Sequence, residues 1–194
     1  MIVNLKVHLS CRHITITGYQ HDDPRGALER WNNVMTKMSG VCTEIGSDRC
    51  LVVYYEQLVL HPRRWMNIIL EFLGIPWDED VLKHHLKINK PGGVRVSNAE
   101  RSSDQIVKPI NLGALTEWVG TFPKDVLKEM DKIAPMLKKF GYDPFGNPPN
   151  YGVADKQVMN NTKEILQHKD FWESQQKKLV SEMEKPEHIN LIED

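Results

Sequence analysis

A chain of 194 residues, 40% hydrophobic and 26% charged, is long enough for one domain with a real core and too short for two of ordinary size. Its formal net charge of −1 excludes a surface built for general binding of nucleic acid or of an anionic membrane, so any anion site must be local. No run approaches the roughly 18 apolar residues of a membrane span, and Met1 to Leu9 alternates instead of following the charged-then-apolar order of a signal peptide.

In chain order, residues 2–19 read as extended, with Ile14-Thr-Ile-Thr-Gly-Tyr19 rich in β-branched side chains. Asp22-Asp23-Pro24 opens a helix, an acidic N-cap followed by proline. Leu28, Trp31, Met35 and Met38 recur in it at three, four and three, which predicts a core-facing stripe; no soft ligands converge to make a methionine metal site. Of the three cysteines, Cys42 and Cys50 flank a polar turn with a central glycine. Spacing alone leaves two readings there, a pair of buried thiols, the commoner case, or a bond across the turn.

Leu51 to Tyr55 is an unbroken apolar and aromatic run, as in a strand covered on both faces. A polar turn at Glu56-Gln57 leads to Pro62, suited to the first turn of a helix that runs to Gly74 with a stripe of Trp65, Ile68, Ile69, Phe72 and Leu73. A buried strand followed at once by an amphipathic helix is half of a βαβ unit and favours an α/β layer fold. Asp78, Glu79 and Asp80 then cap a short helix, in which the neighbours His84 and His85 point about 100° apart and cannot share an ion.

Beyond Gly92-Gly93 lies a stretch without helical or strand period, Ser97 to Asn111, rich in donors: Arg101, Ser102, Ser103, Gln105, Lys108 and Asn111. Such a set suits a wrap around a phosphate or a nucleotide edge, although an ordinary polar surface loop is the commoner occurrence. Gly113 to Trp118 continues as a short helical turn. Pro123 opens the longest clean helix, patterned by Val126, Met130, Ile133, Leu137 and Phe140, with Pro135 set to kink or break it and Gly141 to cap it. Tyr142 to Gly152 holds too much proline and glycine for regular structure and is expected to lie extended with its aromatics pinned down. The remainder is charged, with Phe171, Trp172, Leu179 and Met183 fit for an appended helix and the last ten or so residues expected to be mobile. The common local signatures of phosphate-binding loops, dinucleotide sites, serine hydrolases and zinc proteases are absent.

Tyr55-Glu-Gln-Leu-Val-Leu-His-Pro-Arg-Arg-Trp-Met66, Phe72-Leu-Gly-Ile-Pro-Trp77, Glu100-Arg-Ser-Ser-Asp-Gln105 with Lys108-Pro109, Ala134-Pro-Met-Leu137, Gly141-Tyr-Asp-Pro144 and Asn147-Pro-Pro-Asn-Tyr-Gly152 carry a resemblance. Over about residues 12–165 the chain resembles the C-terminal half of the protein-tyrosine sulfotransferases. The resemblance implies an α/β class, an incomplete three-layer P-loop-type sulfotransferase fold that is helix-rich because the N-terminal strands and phosphate loop are absent. It implies two domains, 1–153 from the sulfotransferase domain and 154–194 as a charged, partly helical or mobile tail.

The resemblance also implies a Golgi enzyme that moves a sulfuryl group from 3′-phosphoadenylyl sulfate, with no metal, to tyrosines in acidic protein segments. By position, the cofactor is expected at Arg12, Tyr55, Ser102, Ser103, Asp104, Gln105, Ile106, Val107, Lys108, Pro109, Ile110 and Asn111, with Ser102 also stabilising the transition state. Cys42 and Cys50 match a family disulfide, which implies an oxidising lumen, and Asn160-Asn-Thr162 is then a glycosylation acceptor. A homodimer is open as the assembly, and nucleic acid is not expected as a partner. The phosphate loop, the general-base glutamate, a transition-state lysine and a membrane anchor are all expected upstream of Arg12, so this polypeptide alone is expected to be inactive. Glu117 stands where the family has a lysine. The alternative is a noncatalytic fragment that binds nucleotide or pairs with a complete enzyme.

Overall fold

A computed structural model describes residues 2–3, 23–94, 96, 103–116 and 118–183. The expectations for residues 4–19, Cys11, Arg12, Ser102, Glu117 and the last ten residues lie outside them. The described chain is helix-rich, compatible with an α/β sulfotransferase fold, and falls into two compact units.

The first unit takes the described residues of Met1–Ile75 and Gly113–Val153. Strand β1 (Ile2–Val3) runs parallel to β2 (Val53–Tyr54), with Ile2 opposite Val53 and Val3 opposite Tyr54. Helix α1 (Pro24–Ile45) starts where the acidic cap and proline place it, and the Gly26 amide donates to Asp23 Oδ1 at 2.8 Å. A Cβ at Gly26 would collide with that carboxylate, so glycine is what lets the cap close. Asp23→Ala is therefore expected to lower stability by about 1 kcal/mol, read as a shift in thermal midpoint.

Leu28, Trp31 and Met35 are buried as the pattern requires, whereas Met38 is 38% exposed and continues an outward stripe with Val34, Val41 and Ile45. At the far end of α1, Cys42 and Cys50 form a disulfide with their Cα atoms 5.4 Å apart, closing the Gly46 turn.

The strand expected over Leu51–Tyr55 is two residues long. The backbone turns helical at Tyr55, so the supposed polar turn Glu56-Gln57 lies inside α2 (Tyr55–Leu60). Helix α3 (Pro62–Phe72) follows after His61 and starts at Pro62 as expected, but its stripe is only half-covered, with Phe72 and Leu73 38% and 58% exposed. Gly74, at φ 67°, ends it in the left-handed region where L side chains are strained.

After α5 (Gly113–Thr116), the helix expected from Pro123 is divided at Pro135 into α6 (Lys124–Ile133) and α7 (Met136–Lys139). Asn32 Oδ1 accepts from the Met136 amide at 3.0 Å and caps the second piece from α1. Against these helices Trp31 sits at 0% exposure among Leu28, Met35, Trp118, Phe122, Val126 and Leu137.

The second unit takes the described residues of Pro76–Leu112 and Ala154–Asp194. Two 3₁₀ turns, Glu79–Leu82 and His84–Leu86, precede α4 (Ser103–Ile106). Asp78 caps the first turn through the Asp80 amide at 2.8 Å. The aperiodic stretch expected up to Asn111 thus contains one helical turn. The charged tail forms two helices, α8 (Lys156–Gln167) and α9 (Lys169–Met183), and α9 packs on both α4 and α8.

Candidate functional site

Within the first unit, the β2–α2 junction carries the most unusual side chain of the described residues. Glu56 is the one charged residue in the buried set, at 3% exposure. Turning the chain helical at Tyr55 directs Glu56 inward, where the Tyr142 hydroxyl donates to its Oε2 at 2.7 Å. Burial holds the carboxyl above the usual carboxylate range, and the Tyr142 hydroxyl and Glu56's own amide partly oppose that. Burial, and then the Glu56 charge, raise the Tyr142 phenol in turn. The next residue in α2, Gln57, donates from Nε2 to the Tyr151 carbonyl at 2.9 Å, so both ends of the proline-rich segment are tied to one helical turn. The Tyr151 phenol is pushed up to about 12, chiefly by burial and secondly by Glu56, while a hydrogen bond from the Trp118 indole acts the other way.

These residues border a cavity of about 610 Å³, lined by Tyr54, Glu56, Trp118, Phe140, Tyr142 and Tyr151 among others. Tyr54 packs edge-on to Phe140 at 6.4 Å between centroids and tilted against Tyr142 at 6.1 Å. The expectation of pinned aromatics in Tyr142–Gly152 is met at Tyr142 and Tyr151 and fails at Phe145, which is 56% exposed. Tyr55, the expected nucleotide contact, opens α2 half-buried beside this cavity's Tyr54 and Glu56 and is not itself part of the lining.

The other expected cofactor residues that the structure describes, Ser103 to Asn111, belong to the second unit. Ser103 and Asp104 begin α4, and their side chains lie outside the described residues. Gln105 and Ile106 complete α4, and the Lys108 amide donates to the Gln105 carbonyl at 3.1 Å. Val107 lines a cavity of about 420 Å³ with His85, Phe171, Trp172 and Leu179.

From Lys108 to Asn111 the backbone is clamped from several sides. Buried Pro109 is followed by Ile110, whose carbonyl accepts from Asn161 Nδ2 at 2.9 Å, and Asn111 Nδ2 donates to the Pro109 carbonyl at 2.9 Å. The next amide, Leu112, donates to Thr162 Oγ1 at 3.0 Å, and that hydroxyl donates on to the Val158 carbonyl at 2.7 Å. His84 hydrogen-bonds the Lys108 backbone, and burial outweighs that bond to hold its imidazole below the ordinary value.

Asn161 and Thr162 were visible in the sequence only as part of a glycosylation motif; in the structure both hold the expected cofactor segment. Thr162→Val keeps the volume and removes the acceptor, so a loss of about 1–2 kcal/mol is expected, with faster amide exchange at Leu112. Equal exchange in variant and parent would show that the hydroxyl holds nothing. Among the described residues no group of three or more His, Cys, Asp and Glu side chains could hold a metal ion, and no helix is long and apolar enough to cross a membrane.

Residues 6–79 match the model of the sulfotransferase family, a family of transferases. A protein-tyrosine sulfotransferase of Drosophila melanogaster is 49% identical over 169 residues, which are 87% of this chain and 34% of that protein. Protein-tyrosine sulfotransferase 2 of Gallus gallus is 52% identical over 155 residues, 80% of this chain and 42% of that protein. Protein-tyrosine sulfotransferase 1 of Homo sapiens is 51% identical over 154 residues, 79% of this chain and 42% of that protein. The chain belongs to the protein-tyrosine sulfotransferase family. It spans about a third to two-fifths of the length of these relatives.

Proposed function

We propose that the chain contributes the nucleotide-wrapping part of a protein-tyrosine sulfotransferase, which moves a sulfuryl group from 3′-phosphoadenylyl sulfate to tyrosine hydroxyls in acidic protein segments. The observation that carries this is the extent of the likeness. A match over 169 of 194 residues leaves 25 outside it, so Tyr55 and residues 102–111 fall within it wherever it begins.

In this reading Arg12, Tyr55 and Ser102 to Asn111 hold the adenine nucleotide. Sulfuryl transfer spreads charge over peripheral oxygens, so fixed donors matter more than covalent steps, and Ser102 meets that charge in the transition state. The clamp that Asn161, Thr162 and His84 place on 108–112 supports the reading physically, since a wrap must be held before the ligand arrives to avoid an ordering cost on binding. A three-layer P-loop-type fold, Golgi residence, a disulfide maintained by an oxidising lumen, glycosylation at Asn160, and the division at residue 153 between sulfotransferase domain and tail belong to the same proposal.

Calorimetric titration with 3′-phosphoadenosine 5′-phosphate and transfer of labelled sulfate to an acidic tyrosine peptide test it in two parts. The expected result is binding, weakened roughly tenfold or more by Tyr55→Ala, with no turnover by this polypeptide alone. Failure to bind in a folded chain would overturn the nucleotide reading. Turnover would overturn the expectation that the base and phosphate loop must come from outside these residues.

A further inference from the structure

The cavity at the β2–α2 junction is not used by the nucleotide reading, and its lining has a consistent chemistry. Five aromatic residues line it, Tyr54, Trp118, Phe140, Tyr142 and Tyr151. Among the described residues the acids on the lining are Glu56 and Asp143, and no Lys, Arg or His lines it. Pro144, Pro148 and Pro149 bring no backbone donors to the lining. A volume of about 610 Å³ is ample for a small ligand.

We propose that this cavity is a binding site for a small organic cation bearing a methylated ammonium group, its charge shared between the aromatic faces and the Glu56 carboxylate. Ring faces are negative and attract cations, most strongly where water is excluded. A buried carboxylate without a counter-charge is costly, and among the described residues Glu56 has only neutral donors, the Tyr142 hydroxyl and its own amide, so a cation supplies what the lining lacks. A primary ammonium must place three N–H donors, and part of Glu56's accepting capacity is already taken by Tyr142. A quaternary or trimethylated head places none, which is why the aromatic lining favours it. Burial holds the Glu56 proton, so a bound cation also drives its release.

Calorimetric titration of the chain with tetramethylammonium and choline, against the neutral isostere 3,3-dimethylbutan-1-ol and against butylammonium, tests the assignment without any nucleotide. Saturable binding of the two quaternary cations is expected, with the isostere and butylammonium each roughly tenfold weaker or more. Glu56→Gln keeps an acceptor for Tyr142 and is expected to lose roughly tenfold for the cations and nothing for the isostere. Equal binding of cation and isostere by the parent protein would overturn the cation assignment, and tighter binding of butylammonium would overturn the methylated head. Absence of heat up to about 50 mM in a chain folded by circular dichroism would remove the site altogether. The parent-protein comparisons stand even if Glu56→Gln does not fold, and Tyr151→Leu then supplies the second variant, expected to weaken the cations more than the isostere.

Discussion

Trp31→Ala is expected to cost about 3–5 kcal/mol of unfolding free energy, enough to leave a domain of ordinary stability largely unfolded. Trp31 is fully buried where α1 meets α6 and α7, and its ring touches the apolar side chains that tie those helices together. Truncation removes the largest fully buried side chain among the described residues and leaves a hole that helices held by Asn32 and Met136 cannot easily close. The same ring carries a counterweight, because its Nε1 is buried and has no hydrogen-bond partner among the described residues. An unsatisfied buried N–H costs about 1–3 kcal/mol, so the expected loss lies toward the lower end of the range.

Trp31→Phe separates the two contributions. It keeps most of the packing and removes the orphaned donor, so its stability is expected within about 1 kcal/mol of the parent protein's. Urea unfolding of the three proteins, followed by far-ultraviolet circular dichroism, measures both. A loss for Trp31→Phe as large as that for Trp31→Ala would mean that the indole nitrogen is satisfied, by a water or otherwise, and that the helices close around its shape alone.

The period of three and four that buries Trp31 was legible in the sequence, as were the Asp23 cap, the break at Pro135 and the Gly74 stop, because each depends on residues within a few positions of one another. What escaped depended on distant partners. Leu51–Tyr55 looked like a covered strand since nothing local distinguishes a buried strand from a strand that turns helical at its fifth residue. Glu56 looked like a turn residue because its polarity is matched by Tyr142, 86 positions away. Met38 fits the helical period as well as Met35 does, yet it is 38% exposed where Met35 is buried.

At the candidate site the donor-rich segment was visible as composition, but its clamping by Asn161, Thr162 and His84 was not, since all three lie outside it in sequence. The signal that could have found Glu56 is the Tyr-Glu-Gln triplet opening a short apolar helix before Pro62. A lone acid at an inward position there demands a buried donor elsewhere.

Tyr142→Phe is expected to cost about 2–3 kcal/mol at pH 8 and clearly less at pH 4, because a hydrogen bond to a charged carboxylate is worth more than one to a neutral acid. The direction follows from the burial of Glu56, whose folded-state proton affinity lies above the ordinary value of 4.5. A raised carboxyl gives stability in full below about pH 4.5, and that stability is lost as pH rises through the folded value. In the parent protein Tyr142 limits this loss by favouring the carboxylate. Without the hydroxyl the folded value climbs further and the loss at alkaline pH deepens. Glu56→Gln should flatten the dependence, since an amide oxygen still accepts from Tyr142 and cannot ionise; near pH 8 that variant should match or exceed the parent protein in stability. Adding Tyr142→Phe to Glu56→Gln should then cost the same at both pH values. Urea unfolding of the four proteins at pH 4 and pH 8 distinguishes these cases. A cost for Tyr142→Phe that does not change with pH would mean that Glu56 does not titrate between them, and the charge attributed to the centre of the first unit would have to be assigned elsewhere.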